Sequence, residues 1–367
     1  SRDAHSARHP DIFGTDMQHE LAPMIEERLE SLRALIGDTR LMVIRCRYQG
    51  RELTVCAKYE VQNFTGSIKD RMALHIMEDA YAHGAVEPGD TIVEATSGNT
   101  GIAFSAVGRA LGHDVRIYMP DWMSRERVMV IQSLGAEIVP VTAEEGGFLG
   151  SIARAEAYAE EHEHVFAPRQ FETQSNIDAH RLTTGPEIRR QLEAAGIEAC
   201  AFVAGVGTGG TVMGVHAYAR ERMHGMRVHP LEPANSPTLR TGHRVGKHRI
   251  QGISDEFIPA IVDLDMLDDI VDVWDGDAIL MAQQLASKFG LGVGISAGAN
   301  FLGAVKLAYE AGEGSAVATI FCDSNKKYLS TDLCREEPAK DEYLTPDVEL
   351  LGCRVIPGPG LPWRSGL

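Results

Sequence analysis

The sequence is poor in cysteine and tryptophan, has no long apolar run, and carries no excess of positive charge. Its six cysteines in 367 residues form no C-x-x-C pair and are too sparse for a disulfide framework, so free thiols are expected. No run approaches the roughly 18 apolar residues of a membrane span, and residues 1–16 lack the apolar core of a signal peptide. The net charge of −17 disfavours sequence-independent binding to nucleic acid. We therefore expect a cytoplasmic protein that binds neither membranes nor nucleic acid.

The central part of the chain alternates short β-rich runs with amphipathic helical patterns. Residues 91–96 and 200–206 are typical of buried strands, and residues 101–111 and 177–195 of helices. This βαβ order predicts parallel sheets covered by helices on both faces. The number of units would overcrowd one sheet. The predicted fold class is therefore α/β, with two doubly wound parallel-sheet domains and a cleft between them.

We expect the chain to divide into four parts. Residues 1–40 are expected to form an N-terminal extension and helix, residues 63–173 a smaller α/β domain, and residues 41–62 with 174–335 a larger one. The last segment, 336–367, contains Pro338, Pro346, Pro357, Pro359 and Pro362. We expect it to be an irregular tail on the surface or against a partner subunit.

The segment 63–71, NFTGSIKDR, holds a lysine at a predicted helix start. Ser67 and Asp70 have the spacing of an N-cap and an acid at N3, which places Lys69 in the first turn. The positive end of the helix dipole favours the neutral amine, and a Schiff base requires that form. On its own, the segment is explained more simply by a solvated lysine beside a capping box.

Two polar, glycine-rich loops each follow a predicted strand and precede a predicted helix: residues 96–101, TSGNTG, and residues 205–211, GVGTGGT. Backbone N–H groups and hydroxyls at a helix N-terminus form a pocket for a carboxylate or phosphate. A plain βα turn remains an alternative for the first loop.

The second loop also satisfies G-x-G-x-x-G through Gly205, Gly207 and Gly210, with Glu232 where a ribose-binding acid would stand. An NAD-linked dehydrogenase is therefore an alternative. The dehydrogenase alternative is disfavoured because the G-x-G-x-x-G motif usually follows the first strand of a dinucleotide-binding fold. Here four or five predicted strands precede the motif.

Together these segments resemble, in order, the cysteine synthase and cystathionine β-synthase family of pyridoxal-phosphate enzymes of fold type II. Residues 63–71 resemble its cofactor-lysine segment, residues 96–101 its substrate-carboxylate loop, and residues 207–211 its cofactor-phosphate loop. Gln170, before Phe171, and Ser296, in GISAGA, match two further positions. The resemblance covers about residues 36 to 331. It implies that the smaller domain carries the carboxylate loop and the larger domain the phosphate loop.

The resemblance also implies roles. Lys69 would be the catalytic residue, forming a Schiff base with pyridoxal 5'-phosphate and then taking the Cα proton of the substrate. The implied cofactor-binding residues are Lys69, Asn99, Gly207, Thr208, Gly209, Gly210, Thr211 and Ser296. The implied substrate-binding residues are Thr96, Ser97, Asn99, Thr100, Gln170 and Gly252. A metal is not expected.

The implied reaction is β-substitution of O-acetyl- or O-phospho-L-serine by sulfide or thiosulfate through an α-aminoacrylate, in a homodimer. The product would be L-cysteine or S-sulfocysteine. Cysteine desulfhydrase-like β-elimination is an alternative within the family. A catalytically idle relative that serves as a binding partner is a third alternative, which an intact Lys69 and Ser296 disfavour.

The sequence departs from the family pattern at residues 251–259, QGISDEFIP, where cysteine synthases carry a G-I-G-A-G stretch facing the substrate. Ser254, Asp255 and Glu256 are larger and partly acidic, so the substrate side of the cleft is expected to differ. Just upstream, one loop contains Arg240, Arg244, Lys247 and Arg249. Its positive charge would either attract an anionic substrate or simply be solvated.

Overall fold

The computed structural model describes residues 14–363, with side chains described from residue 23 onward. Within that range the α-helices are α1 (Gly14–Arg33), α2 (Lys69–Ala82), α3 (Asn99–Leu111), α4 (Arg125–Ser133), α5 (Gly147–Glu161), α6 (Gln174–Ala179), α7 (Gly185–Ala195), α8 (Gly210–Arg222), α9 (Thr238–Thr241), α10 (Asp275–Phe289) and α11 (Ile295–Ala311). The strands are β1 (Leu41–Tyr48), β2 (Arg51–Tyr59), β3 (Thr91–Ala95), β4 (Asp114–Pro120), β5 (Glu137–Val141), β6 (Val165–Phe166), β7 (Ala201–Gly205), β8 (Arg227–Pro233), β9 (Val271–Val273), β10 (Ala316–Phe321) and β11 (Val348–Ile356). No helix in this range is both long enough and apolar enough to cross a membrane.

The strands form two separate sheets. A four-stranded sheet has the order β5-β4-β3-β6 and is parallel throughout. A seven-stranded sheet has the order β11-β1-β2-β10-β7-β8-β9. Five of its strands are parallel to one another: β2, β10, β7, β8 and β9. The predicted α/β class with parallel sheets is confirmed, whereas the exact domain boundaries stay a prediction.

Both faces of the larger sheet are buried. Val203 and Val317 face a core shared with α10 and α11, while their neighbours Phe202 and Ala318 face a second core shared with α7 and α8. Side chains alternate between the two faces of a strand, so a strand covered on both sides must be apolar at consecutive positions. This explains why residues 200–206 were recognisable as a buried strand.

The topology brings three chain segments to one place. The loop 96–98 joins β3 to α3, the loop 206–209 joins β7 to α8, and Cys322 directly follows β10. In open parallel sheets, ligands bind beyond the carboxyl ends of the strands. The fold therefore assembles a cleft from loops of both sheets.

The prediction of an irregular tail at 336–367 is wrong for residues 348–356. These form β11, which pairs antiparallel with β1, so that Leu41 faces Ile356. Pro346 and Pro357 flank the strand instead of interrupting it, as expected for proline at the ends of an edge strand. Because β1 also pairs antiparallel with β2, this edge of the larger sheet is not parallel.

The capping box predicted at the start of α2 is also not formed. Asp70 accepts hydrogen bonds from the backbone N and the hydroxyl of Thr65, instead of reaching back to Ser67. The hydroxyl of Ser67 accepts a hydrogen bond of 3.3 Å from the backbone N of Lys69. Local side chains still hold the first turn, and Lys69 is its first residue.

A buried ion cluster joins α2 to the larger sheet. The guanidinium of Arg71 lies 2.7 Å from Glu60 and 2.7 Å from Glu187, and Lys58 lies 2.6 Å from Glu187. All four side chains are at most 5% exposed. Burial alone raises the pKa of Glu187, but the charges of Arg71 and Lys58 outweigh it and lower that pKa to about 2. The carboxylate is therefore ionised throughout the neutral range.

We predict that Glu187→Gln lowers the free energy of unfolding by about 3–5 kcal/mol, because it leaves two buried cations with too little negative charge. Urea denaturation monitored by circular dichroism measures the loss. Because the folded-state pKa of Glu187 is lowered, its contribution is complete above the usual value of 4.5 and disappears as the pH falls toward about 2. The variant should therefore lose less stability than the wild type between pH 5 and pH 3.

The matched control is Glu193→Gln on the same helix, where an exposed carboxylate pairs with Arg189 at 2.8 Å. That change should cost less than about 1 kcal/mol. Equal losses in the two variants would contradict the assignment of Glu187 to a stabilising buried cluster.

Candidate active site

The cleft beyond β3, β7 and β10 contains nearly all of the residues selected from the sequence. Its lining includes the following predicted residues: Lys69, Thr96, Ser97, Asn99, Thr100, Gln170, Gly207, Thr208, Gly209, Thr211, Gly252 and Ser296. Gly210 does not line it; this residue begins α8, and a Cβ there would lie 1.9 Å from the amide oxygen of Asn176. Sequence motifs some 230 residues apart thus converge on one site.

Lys69 places its amine inside this cleft. Burial lowers the pKa of Lys69, against the opposing effect of Cys322, Asp255 and Asp323. A lysine with a lowered pKa has a larger neutral fraction and is a better nucleophile toward an aldehyde. The lowered pKa agrees with the sequence prediction, although here burial is its largest cause.

The loop 96–100 is fixed by its own hydroxyls and by Gln170. Thr96 accepts a hydrogen bond of 3.0 Å from the backbone N of Gly98, and the hydroxyl of Thr100 donates to the amide oxygen of Gln170 at 2.7 Å. Gln170 in turn donates to the carbonyl of Ala95 at 2.9 Å. The loop and the glutamine therefore form one polar wall at the N-terminus of α3, which suits a carboxylate.

The amide of Asn99 is engaged with the segment after β10. It donates to Asp323 at 2.8 Å and accepts from the amine of Lys327 at 2.9 Å. The hydroxyl of Tyr328 donates to the same carboxylate, which is fully buried. This network links the first loop to the end of the larger sheet.

The loop 206–209 forms a close-fitting cradle at the N-terminus of α8. Gly209 has φ +88°, which favours glycine, and a Cβ at Gly207 would lie 2.3 Å from the carbonyl oxygen of Gly252. The hydroxyl of Thr208 accepts hydrogen bonds from Asn176 at 2.9 Å and from the backbone N of Gly210 at 3.3 Å. Backbone N–H groups at a helix start, without side chains in the way, are suited to bind a phosphate.

Ser296 and Cys322 lie side by side in the cleft. Burial raises the pKa of the Cys322 thiol to about 12, although a hydrogen bond with Ser296 lowers it somewhat. The raised pKa favours the neutral thiol, which is a much weaker nucleophile than the thiolate.

Asp255 enters the cleft from the segment that departs from the family pattern. Burial raises its pKa to about 6, while the charge of Lys69 opposes the rise. The preceding residue, Ser254, has φ +54° and bonds through its backbone N to the carbonyl of Val206 at 2.8 Å. The sequence shows that Asp255 departs from the family pattern but indicates no role for it. Its position near Lys69 is visible only in the structure.

The basic loop does not provide a patch of unpaired arginines. Arg240 lies 3.0 Å from Glu232, Arg244 lies 2.9 Å from Glu256, and Arg249 pairs with Asp275 at 3.0 Å. Each of these cations is balanced by a nearby carboxylate, so attraction of an anionic substrate loses its main support.

Arg127 is a cleft residue that the sequence reasoning missed. It lies on α4, after the carboxyl end of β4, and is only 3% exposed. Its position after a strand could have identified it. Because β4 is parallel to β3 and next to it, polar residues that follow the two strands lie at the same edge of the sheet.

The dinucleotide alternative is not supported at Glu232. Its carboxylate accepts hydrogen bonds from the backbone N of Leu239 at 2.7 Å and from the side chain of Arg240 at 3.0 Å. This buried acid is engaged within the protein and does not line the cleft. The described residues contain no group of three or more His, Cys, Asp or Glu side chains that could hold a metal ion.

Comparisons with known proteins agree with this geometry. The model of the family "pyridoxal-phosphate dependent enzyme" matches residues 32–323. Cysteine synthase of Staphylococcus aureus is 38% identical over 310 residues, which is 84% of this chain and 98% of that protein.

Two solved structures resemble the chain closely. A hydrogen sulfide-producing enzyme of Fusobacterium nucleatum is 50% identical, with a TM-score of 0.88 over 90% of this chain and 99% of that one. Cysteine synthase of Entamoeba histolytica is 30% identical, with a TM-score of 0.77 over 95% of this chain and 98% of that one. The chain therefore belongs to the pyridoxal-phosphate dependent enzyme family and is an enzyme of the cysteine synthase type.

Proposed function

We propose that this enzyme replaces the sulfur of L-cysteine with the oxygen of water, giving L-serine and hydrogen sulfide. The observation that carries the proposal is the carboxyl group of Asp255 inside the cleft, close enough to Lys69 for the two charges to interact. The Fusobacterium relative supports it, since that protein is named for producing hydrogen sulfide. An aspartate-to-asparagine mutant of the same relative was solved with an α-aminoacrylate intermediate.

The residues of the cleft fit pyridoxal phosphate. The side-chain-free cradle at Gly207 and Gly209 suits the phosphate, Lys69 supplies the amine, and Ser296 supplies a neutral hydroxyl for the ring nitrogen. Asn99 and residues 208–211 complete the proposed cofactor set. When bound, the cofactor makes the Cα proton of an attached amino acid acidic, so that the β-substituent can leave.

Most of the proposed substrate-binding residues belong to the loop at the start of α3. Its backbone N–H groups, with Thr96, Ser97, Thr100 and Gln170, bind the α-carboxylate and orient the amino acid. Gly252 lines the same cleft. Lys69 takes the Cα proton, and the C–S bond breaks with the electron pair leaving on sulfur. The same amine later returns a proton to Cα.

Asp255 accounts for the choice of water as the nucleophile. Water needs a base when it adds to carbon, and the Asp255 carboxylate accepts its proton and then releases it to solvent, which balances the proton that the departed hydrosulfide takes up to become hydrogen sulfide. Sulfide is already a good nucleophile at neutral pH and needs no such base. A carboxylate in the cleft also repels sulfide and thiosulfate anions.

Cysteine synthesis from O-activated serine is the second candidate, supported by the resemblance to cysteine synthases. It uses the same residues up to the loss of the β-substituent and differs in the nucleophile that follows. We further propose that the enzyme is a cytoplasmic homodimer, and sedimentation velocity measures its oligomeric state.

We predict that Lys69→Ala abolishes turnover, because it removes both the amine that holds the cofactor and the base that takes the Cα proton. Borohydride treatment of the wild-type holoenzyme should leave a pyridoxyl group on the Lys69 peptide, identified by mass spectrometry. Lys326→Ala, which removes an exposed lysine, should keep both activity and label. A label on another lysine, or a Lys69→Ala variant with substantial activity, would refute the central assignment.

We predict that Asp255→Asn reduces steady-state serine formation by about 10²- to 10⁴-fold, since an amide cannot accept the proton of water. The variant should still release a burst of sulfide, up to one equivalent per site, because sulfur leaves before water adds. Stopped-flow sulfide detection measures the burst, and chromatography separates serine from pyruvate. Glu256→Gln, which removes a carboxylate outside the cleft lining, is the matched control.

The pH profile provides an independent check. In wild type, kcat for serine formation should fall as the pH drops through about 6, because protonated Asp255 cannot act as a base when water adds after sulfide release. Serine formation that is unaffected by Asp255→Asn would overturn the proposal. Pyruvate as the main product would favour β-elimination, and faster turnover of O-acetylserine with sulfide would favour cysteine synthesis.

A further inference from the structure

Arg127 is a buried cation whose hydrogen-bonding capacity is only partly used. It is 3% exposed, and its Nε is buried without a hydrogen-bond partner among the described residues. It also forms no ion pair within that part of the chain. A buried guanidinium with an unused donor carries an unfavourable desolvation cost, unless an anion arrives to accept the bond.

The surroundings of Arg127 hold its guanidinium in one place. One terminal nitrogen donates to the side-chain oxygen of Gln251, which also lines the cleft. Its Cζ lies 4.9 Å from the ring centroid of Tyr328, within the range of a cation–π contact. These two contacts fix the side chain without neutralising its charge.

The same guanidinium packs against the proposed carboxylate loop. A Cβ added at Gly98 would lie 2.5 Å from Nε and 2.8 Å from Cδ of Arg127. The loop thus has glycine where the arginine side chain passes, and both line one cleft. An anion bound by the backbone N–H groups at the start of α3 would lie next to the positive charge of Arg127.

We propose that Arg127 is a substrate-recognition residue that binds the α-carboxylate of the amino acid together with the 96–100 loop. Arginine suits this task because its planar donor fork matches a carboxylate and its charge does not depend on pH in the working range. The proposal rests on the site binding an amino acid, as proposed above, but not on sulfur release or on Asp255.

The test compares two ligands that differ only at the carboxyl group, L-alanine and L-alaninamide, by calorimetric titration of the holoenzyme. Neither has a β-substituent that can leave, so binding is measured apart from the reaction. Arg127→Met should weaken alanine binding by about ten- to a hundredfold, and alaninamide binding by less than about threefold. Arg127→Lys keeps the charge without the fork and should give a smaller loss for alanine.

Arg125→Met is the matched control, because Arg125 is exposed on the same helix. It should leave both affinities unchanged. Wild-type alanine affinity in Arg127→Met, or an equal loss for both ligands, would overturn the proposal and leave Arg127 a packing role. Should Arg127→Met fail to fold, the alanine-to-alaninamide preference of Arg127→Lys decides, and an unchanged preference would also overturn it.

Inorganic sulfate distinguishes a substrate site from a general anion site. If Arg127 binds the α-carboxylate, sulfate should compete with alanine in wild type and lose this effect in Arg127→Met. Sulfate that binds through Arg127 without displacing alanine would assign the residue to a free anion and overturn the proposal. An enzyme that releases no sulfide from cysteine but passes the alanine test would refute the proposed reaction while retaining this inference.

Discussion

The structure depends most on the ion pairs of Arg71 at the start of α2. Two residues after the proposed catalytic lysine, this guanidinium is buried between Glu60 and Glu187 and draws helix, sheet and α7 together. Buried charges tolerate little displacement, because their attraction repays desolvation only in good geometry. The first turn of α2 is thereby fixed, and so is the position from which Lys69 reaches the cleft. Lys69 itself forms no ion pair with any described side chain, so it is available for chemistry.

The cleft separates charge into regions with different tasks. Lys69, Asp255 and Arg127 all line the cleft; Asp255 lies close enough to Lys69 for their charges to interact, and Arg127 packs against the first loop. A neutral cradle of glycines and threonines provides the proposed site for the phosphate. A zwitterionic amino acid fits the proposed roles, in which Arg127 binds its carboxylate and Asp255 acts as the base at its β-carbon. The arginines of the upstream loop, each paired with a carboxylate, contribute little to this field.

The sequence was sufficient for the fold class and for most of the cleft, because both depend on local patterns. Continuous apolar runs revealed strands such as β7, and glycine-rich loops before helices revealed where ligands contact the backbone.

The sequence was insufficient where the outcome depends on partners that are distant along the chain. The strand β11 was missed because a half-exposed edge strand between prolines lacks a strong apolar pattern. The spacing of Ser67 and Asp70 predicted a capping box, but the Asp70 carboxylate accepts its hydrogen bonds from Thr65 instead. The role proposed for Arg127 arises only from contacts with Gly98, Gln251 and Tyr328, which no spacing in the sequence encodes.

The final strand and the residues after it return the chain to the helix that carries Lys69. β11 covers the outer edge of β1, and the indole N–H of Trp363 donates to Glu78 on α2 at 2.6 Å. Removing residues 348–363 would thus do more than shorten a surface segment. It would expose the unpaired N–H and C=O groups of β1, a template for intermolecular strand pairing and aggregation. The same truncation would deprive Glu78 of its indole partner, so solubility and cofactor retention would decline together.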